Sequence, residues 1–337
     1  MKVAIVCDQL VERTPTHSII ELVANLYPKS TIYTLAHKKG KVLGPLEMHP
    51  IRSSFLSNEV ESIEDLRTKA FLIPKAIKTL KVPCSFDAVI SISSGLAQCI
   101  SKCENSKKLN IHVENIFEER ASSLMAKFFS SSIKRLSLKH MKTEETIYCV
   151  NPRESLNKEV SPFVNVNDWR PTFDKKEGKS IIVNPNGFSE KEIRVLKEIT
   201  SEFGHDFVLT YLPTGFSTKD FFHLEHPCSG ELLPQFHQAV CYVHGMRFTF
   251  PFGAIEAILS GVPVVSIFSE LNSRVLVPES TCFIKTVKDF SQALKEVKKM
   301  SISKGHDQLM RQRFSEKVFK AKLLRMLKQH EIDFSIG

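Results

Sequence analysis

Phe252, Gly253, Ala254, Ile255, Glu256, Ala257, Ile258 and Leu259 run into Ser260, Gly261, Val262 and Pro263. This is the stretch best suited to chemistry. Its pattern predicts a helix over 254–259 and a strand over 262–267. A helix N-terminus offers backbone N–H groups without intrahelical partners and a partial positive charge, which suits a phosphate or diphosphate. Gly253 stands in the turn before that helix. Glu256, early on it, can accept hydrogen bonds from the hydroxyls of a ribose; taken alone it would be an ordinary solvated helix carboxylate. Gly261 is placed to end the helix in the left-handed conformation, and Pro263 to open the next strand.

A second candidate surface is residues 121–142. There Leu124, Phe128, Phe129, Ile133 and Leu136 interleave with Lys127, Lys134, Arg135, Lys139 and Lys142. A basic amphipathic helix of this kind can lie on an anionic membrane, with Lys134, Arg135 and Lys139 facing the lipid. Its alternative is an apolar side packed on a sheet with solvated lysines opposite. The net charge of +9 favours anionic partners in general, but no zinc-finger, RNP or other nucleic-acid signature accompanies it. The eight cysteines are scattered, without a Cys-x-x-Cys pair, and read as buried reduced thiols rather than metal ligands. No apolar run is long enough to span a bilayer, and the first residues lack the pattern of a signal peptide. A cytoplasmic protein, peripheral on the inner membrane face at most, is expected.

The elements that would carry these residues alternate regularly. Strands are predicted over 2–7, 30–35, 87–92, 109–113, 146–150, 180–183, 207–211, 240–244 and 262–267. Helices are predicted over 18–26, 63–80 with an interruption at Pro74, 190–203, 231–237, 254–259 and 308–329. Residues 8–15 read as a loop. Such alternation implies α/β units with mostly parallel sheets. The 337 residues suit two domains. Boundaries are placed at 1–165 and 166–306, with a C-terminal helical segment, 307–337, packing back across the first domain.

The run from Phe252 to Val265 resembles the signature of family-4 glycosyltransferases, in which Glu-Ala and a Gly-x-Pro-Val run follow a glycine-containing turn. Met1–Asp8, Tyr33-Thr34-Leu35, residues 51–56 and residues 86–91 resemble the mannosyltransferase-like branch of that family. The similarity covers roughly residues 1–300. It implies the GT-B fold, two Rossmann-like domains facing a cleft, with a nucleotide sugar as ligand and no metal cofactor. In the family, an Arg and a Lys five residues later grip the donor diphosphate. Lys191 matches the Lys, or is a first-turn surface lysine; Asn186 stands in place of the Arg.

The departures from the pattern fall at expected catalytic positions. The loop after the first strand is glycine-rich in the family but here runs Val11, Glu12, Arg13, Thr14, Pro15, Thr16, His17. Ser94 replaces an expected His, Glu114 begins what should be a His-Thr-Pro turn, and Phe248 replaces an acidic residue near the transferred sugar. His17, His112 and His244 lie close enough in sequence to compensate. Two functions follow. One is a degenerate homologue, impaired in catalysis and acting as a binding or scaffold protein for a protein partner, with Asn186, Lys191, Gly253 and Glu256 as a remnant donor pocket. The other is an active, metal-independent, retaining hexosyltransferase serving polysaccharide or glycolipid synthesis.

Overall fold

The computed structural model describes residues 1–113, 146–149, 160–171, 178–212, 216, 217, 219–224, 229–247 and 249–332. Within them the alternation resolves into two parallel sheets. The first contains β1 (Val3–Leu10), β2 (Thr31–His37), β3 (Ile51–Ser53), β4 (Ala88–Ser93), β5 (Lys107–His112) and β6 (Thr146–Tyr148), in spatial order β3-β2-β1-β4-β5-β6. The second contains β7 (Ser180–Val183), β8 (Asp206–Leu209), β9 (Phe222–His223), β10 (Ala239–His244), β11 (Val264–Ile267) and β12 (Thr281–Ile284), in order β12-β11-β10-β7-β8-β9. Each sheet reverses its strand order once, between β1 and β4 and between β7 and β10. In open α/β sheets these reversals form the crevice where ligands sit, beyond the carboxyl ends of the strands.

The strands form because they are short β-branched runs buried on both faces, the habit of parallel sheets. Every residue of β1 is buried, as is every residue of β4 and β7. Each fully buried Val or Ile contributes about 1.5–3 kcal/mol of transfer free energy. Covering the first sheet are α1 (Thr16–Leu26), α2 (Ile63–Thr68) and α3 (Ile73–Thr79); the second has α4 (Glu190–Glu202), α5 (Ser229–Phe236), α6 (Phe252–Leu259), α7 (Glu270–Val275), α8 (Phe290–Val297) and α9 (Lys304–Arg313). The last helix is α10 (Glu316–Gln329). Two compact units result: Met1–Pro162 with Phe319–Gly337, and Phe163–Val318.

Several expectations change. The loop begun at Asp8 instead continues β1 to Leu10, because Leu10 stays in register with His37 of β2. Pro74 does not interrupt a long helix. It sits in the first turn of α3, where its missing N–H costs nothing. A single helix over 308–329 is broken at Phe314 and Ser315. The Phe314 carbonyl accepts from the Val164 N–H, and the Ser315 hydroxyl accepts from the Val318 N–H, capping α10. The cysteines are not all reduced thiols. Cys84 and Cys103 are disulfide-bonded, brought together by the backbone bridge between Lys81 and Ser101. That pairing removes the cysteine part of the argument for a reducing compartment. No helix among the described residues is long and apolar enough to cross a membrane.

Arg311 of α9 fixes the segment that enters the second unit. Its guanidinium bonds the Asp307 carboxylate at 2.8 Å and donates to the carbonyls of Val166, Trp169 and Leu259. Leu259 is the last residue of α6, so one cation holds both the Val166–Trp169 backbone and the negative end of the helix that bears Glu256.

Candidate functional site

The crevice between β7 and β10 assembles most of the candidate donor residues. Asn184 follows β7, and its side chain accepts from the Asn186 N–H at 2.9 Å, folding the loop into a tight turn. The Asn184 side chain also hydrogen-bonds the Tyr242 hydroxyl, which burial raises well above the usual tyrosine range. Tyr242 comes from β10 and reaches under the first turn of α6. There a Cβ on Gly253 would lie 2.3 Å from the Tyr242 hydroxyl. Glycine is therefore required for α6 to sit this close to the strand. The helix begins at Phe252, two residues earlier than expected, with no side-chain cap and no acidic residue in its first turn. The Phe252 N–H turns back to the Phe250 carbonyl at 2.9 Å, and the Ile255 N–H bonds the Pro251 carbonyl.

Gly187 and Gly245 join the loops that follow β7 and β10. Gly187 has φ +85°, and a Cβ there would come 2.5 Å from the Gly245 carbonyl. Gly187→Ala should lower the free energy of unfolding by at least ~2 kcal/mol, from left-handed strain plus the clash. Urea titration measures it, and wild-type stability would show that the two loops separate freely.

Glu256 is half-buried on α6, and its backbone carbonyl accepts from the Ser260 N–H at 3.0 Å and the Ser260 hydroxyl at 2.9 Å. Burial pushes its carboxyl up to about 7, and the charge of Asp168 adds to the shift. Near neutral pH the group therefore divides between a donating acid and an accepting carboxylate. Asp168 lies in the segment held by Arg311, beside the start of α5, where the Ser229 hydroxyl reaches it at 3.5 Å. At its far end α6 closes as a Schellman motif. Gly261 has φ +82° and donates to Ile258, while Val262 donates to Ala257.

Lys191 follows the loop after β7. It is exposed in the first turn of α4, between Glu190 and the Ser189–Glu192 capping box. Asn186 is half-buried in the loop, contributing its backbone to the turn. Asn184, Tyr242 and Asp168 were not singled out from sequence. Asn184 and Tyr242 sit 58 residues apart and only strand pairing unites them.

The equivalent crevice of the first sheet is filled from within. Asp8, at the end of β1, is buried, and its carboxylate accepts from the Ser93 hydroxyl at 2.7 Å, the Ser94 N–H, the Ser94 hydroxyl at 2.6 Å and the Ala97 N–H at 2.6 Å. Ser94, in the expected His position, thus donates a hydrogen bond to the Asp8 carboxylate. The loop without glycines is held by side chains. The Gln9 side-chain amide oxygen accepts from the N–H groups of Val11 and Glu12, and one Arg13 nitrogen donates to both Glu21 carboxylate oxygens. His17 accepts from the Thr14 N–H at Nδ1 and faces the Gln9 carbonyl with Nε2. Burial holds it neutral, its pKa lowered to about 4. His244, at the end of β10, is fully buried, neither ring nitrogen has a hydrogen-bond partner among the described residues, and burial lowers it to about 4 as well. A general base working near pH 7 has a higher pKa than either. Glu114, Phe248 and the basic surface with Lys134, Arg135 and Lys139 lie outside the described residues.

No protein-family model matches the chain, and no curated protein matches it. Solved structures do. Sucrose-phosphate synthase from Thermosynechococcus elongatus is 11% identical over 98% of this chain and 99% of that one, with a TM-score of 0.67. HepE from Anabaena, in a structure holding UDP and glucose, is 12% identical over 97% and 99%, at 0.66. A glycosyltransferase from Rickettsia africae is 14% identical over 98% of both chains, at 0.61. This is the GT-B glycosyltransferase fold. In GT-B terms the second unit supplies the crevice described around Glu256, and the first supplies the one occupied by Asp8.

Proposed function

We propose that this chain is a degenerate GT-B homologue that binds a nucleotide or nucleotide sugar through its second unit and is impaired in sugar transfer. The observation that carries the proposal is Asp8. Its carboxylate takes up the Ser94 hydroxyl and the N–H groups of Ser94 and Ala97, so the position where the family has a His holds no free proton acceptor. The chain then acts as a binding or scaffold protein for a protein partner. Diphosphate binds at the N-terminus of α6, with ribose on Glu256 and a contribution from Lys191. Backbone N–H groups and Lys191 meet the charge, so binding needs no metal. The second reading, an active retaining hexosyltransferase of the family-4 mannosyltransferase-like branch, is favoured by the retention of Glu256 beside an uncapped helix start.

Calorimetry with UDP, GDP and their hexose conjugates, paired with a transfer assay, separates the two. Weak binding without turnover is expected. Asn186→Arg should tighten diphosphate binding by one to two decades, the value of one charge-assisted bond of ~1.5–3 kcal/mol, without starting transfer. Saturable transfer by the wild type would replace the first reading by the second. Identical affinity in wild type, Asn186→Arg and Lys191→Ala would remove the proposed diphosphate site.

A further inference from the structure

The C-terminal helix carries a charge distribution that nucleotide binding does not use. α10 holds Lys317, Lys320, Lys322, Arg325 and Lys328, while Glu316 in the first turn is its only acid. Phe319, Leu323 and Leu327 recur every four residues and are buried. All five cations are exposed on the rest of the helix circumference. None of the five makes an ion pair with a described residue. Glu331, just beyond the helix, is taken by Lys107 at 2.7 Å.

This arrangement works against the helix. Lys317 and Lys320, Lys322 and Arg325, and Arg325 and Lys328 are like charges three residues apart, and such neighbours destabilise a helix. From Lys317 to Lys328 the row extends about 17 Å, at 1.5 Å per residue, roughly twice the ~8 Å screening length of physiological salt. A single phosphate could neutralise only part of such a row. An extended anionic plane could meet Lys317, Lys320, Arg325 and Lys328, which fall within about 140° of the circumference at ~100° per residue, whereas Lys322 points away from it. Between the cations the face shows only Ala321 and the half-buried Leu324, so contact is electrostatic, with lysine stems lying along the surface and no large apolar side chain to insert.

We propose that the exposed basic face of α10 docks this protein on an anionic phospholipid surface. No residue of α10 belongs to the nucleotide site proposed above, so the two can be tested separately.

The experiment is co-sedimentation of the full chain with phosphatidylcholine vesicles, with and without about one-third phosphatidylglycerol. Binding is expected only with the anionic lipid, and should fall as salt rises. Each juxtamembrane cation is worth on the order of fivefold in affinity, so the combined variant Lys320→Glu, Arg325→Glu, Lys328→Glu should lose more than about a hundredfold. The neutral set Lys320→Gln, Arg325→Gln, Lys328→Gln should lose less. Relief of like-charge repulsion should leave both variants melting at or above the wild type, so the loss cannot come from unfolding. Four results would overturn the proposal: no binding by the wild type, equal binding to neutral vesicles, undiminished binding by the α10 glutamate variant, or binding to heparin or RNA in place of vesicles.

Discussion

Glu256→Gln is expected to stabilise the protein at pH 8 while weakening its hold on a nucleotide. In the folded chain the Glu256 carboxyl protonates below about 7, against an ordinary value of 4.5. A pKa raised in the fold means that the native state binds the extra proton. Its contribution is complete below the unfolded value and is lost as pH rises through the folded one. The interval corresponds to about 3 kcal/mol, at ~1.36 kcal/mol per unit. The wild type should therefore lose about that much stability between pH 4.5 and 8 at this group, and Glu256→Gln should not. Urea unfolding at several pH values reads the difference. Parallel curves would show that Glu256 titrates normally and is solvated. Nucleotide binding should fall by one to two decades in the same variant, the value of a hydrogen bond to a charged group of ~1.5–3 kcal/mol. A carboxylate that costs stability and carries no ligand would have no physical reason to stay, so unchanged UDP affinity would remove Glu256 from the site.

Acid should unfold the protein through two histidines. His17 and His244 both drop from 6.5 to about 4 in the fold, chiefly by burial. The unfolded chain takes up these protons first, so stability is complete above pH 6.5 and is lost as pH falls towards 4. Each contributes about 3 kcal/mol. Glu256 opposes them between pH 4.5 and 6.5, because there the folded chain holds one proton more. Two protons less one leaves a slope of about 1.4 kcal/mol per pH unit for the wild type, and about 2.7 for Glu256→Gln. The two histidines differ in what removal does. His244 bonds nothing among the described residues through its ring nitrogens, and a buried polar group without partners is unfavourable. His244→Leu should therefore stabilise the protein at pH 5 by roughly 2 kcal/mol. His17→Leu should gain less, since it forfeits the bonds to Thr14 and Gln9. A flat acid limb in the wild type would contradict the buried neutral state of both.

Element type was readable wherever a segment's own pattern sufficed. The β-branched runs of β1, β2, β4, β7 and β10 declare themselves, as does the apolar spacing of α1 and α4. The missed strands β3, β9 and β12 run two to four residues and form beside the edge of a neighbouring strand, and since β7 is no longer than β12, length alone does not separate the legible strands from the missed ones. Ser189 and Glu192 cap α4 within a local window, whereas the Ser315 cap that splits 308–329 depends on Val164 drawing Phe314 out of the helix.

Sequence alone determined the α/β alternation, the Gly253–Glu256 helix with its Gly261 stop, and the absence of the glycine-rich first loop. All of these rest on contacts a few residues apart. The tertiary structure decided what those residues do. It placed the Asp8 carboxylate against Ser94, 86 residues away. It set Asn184 on the Tyr242 hydroxyl beneath Gly253, joined Cys84 to Cys103, and brought Asp168 near enough to Glu256 to raise its pKa. Local spacing cannot encode such pairings, because parallel strands bring distant segments side by side and the charge on a carboxyl depends on which neighbours and how much water that packing leaves.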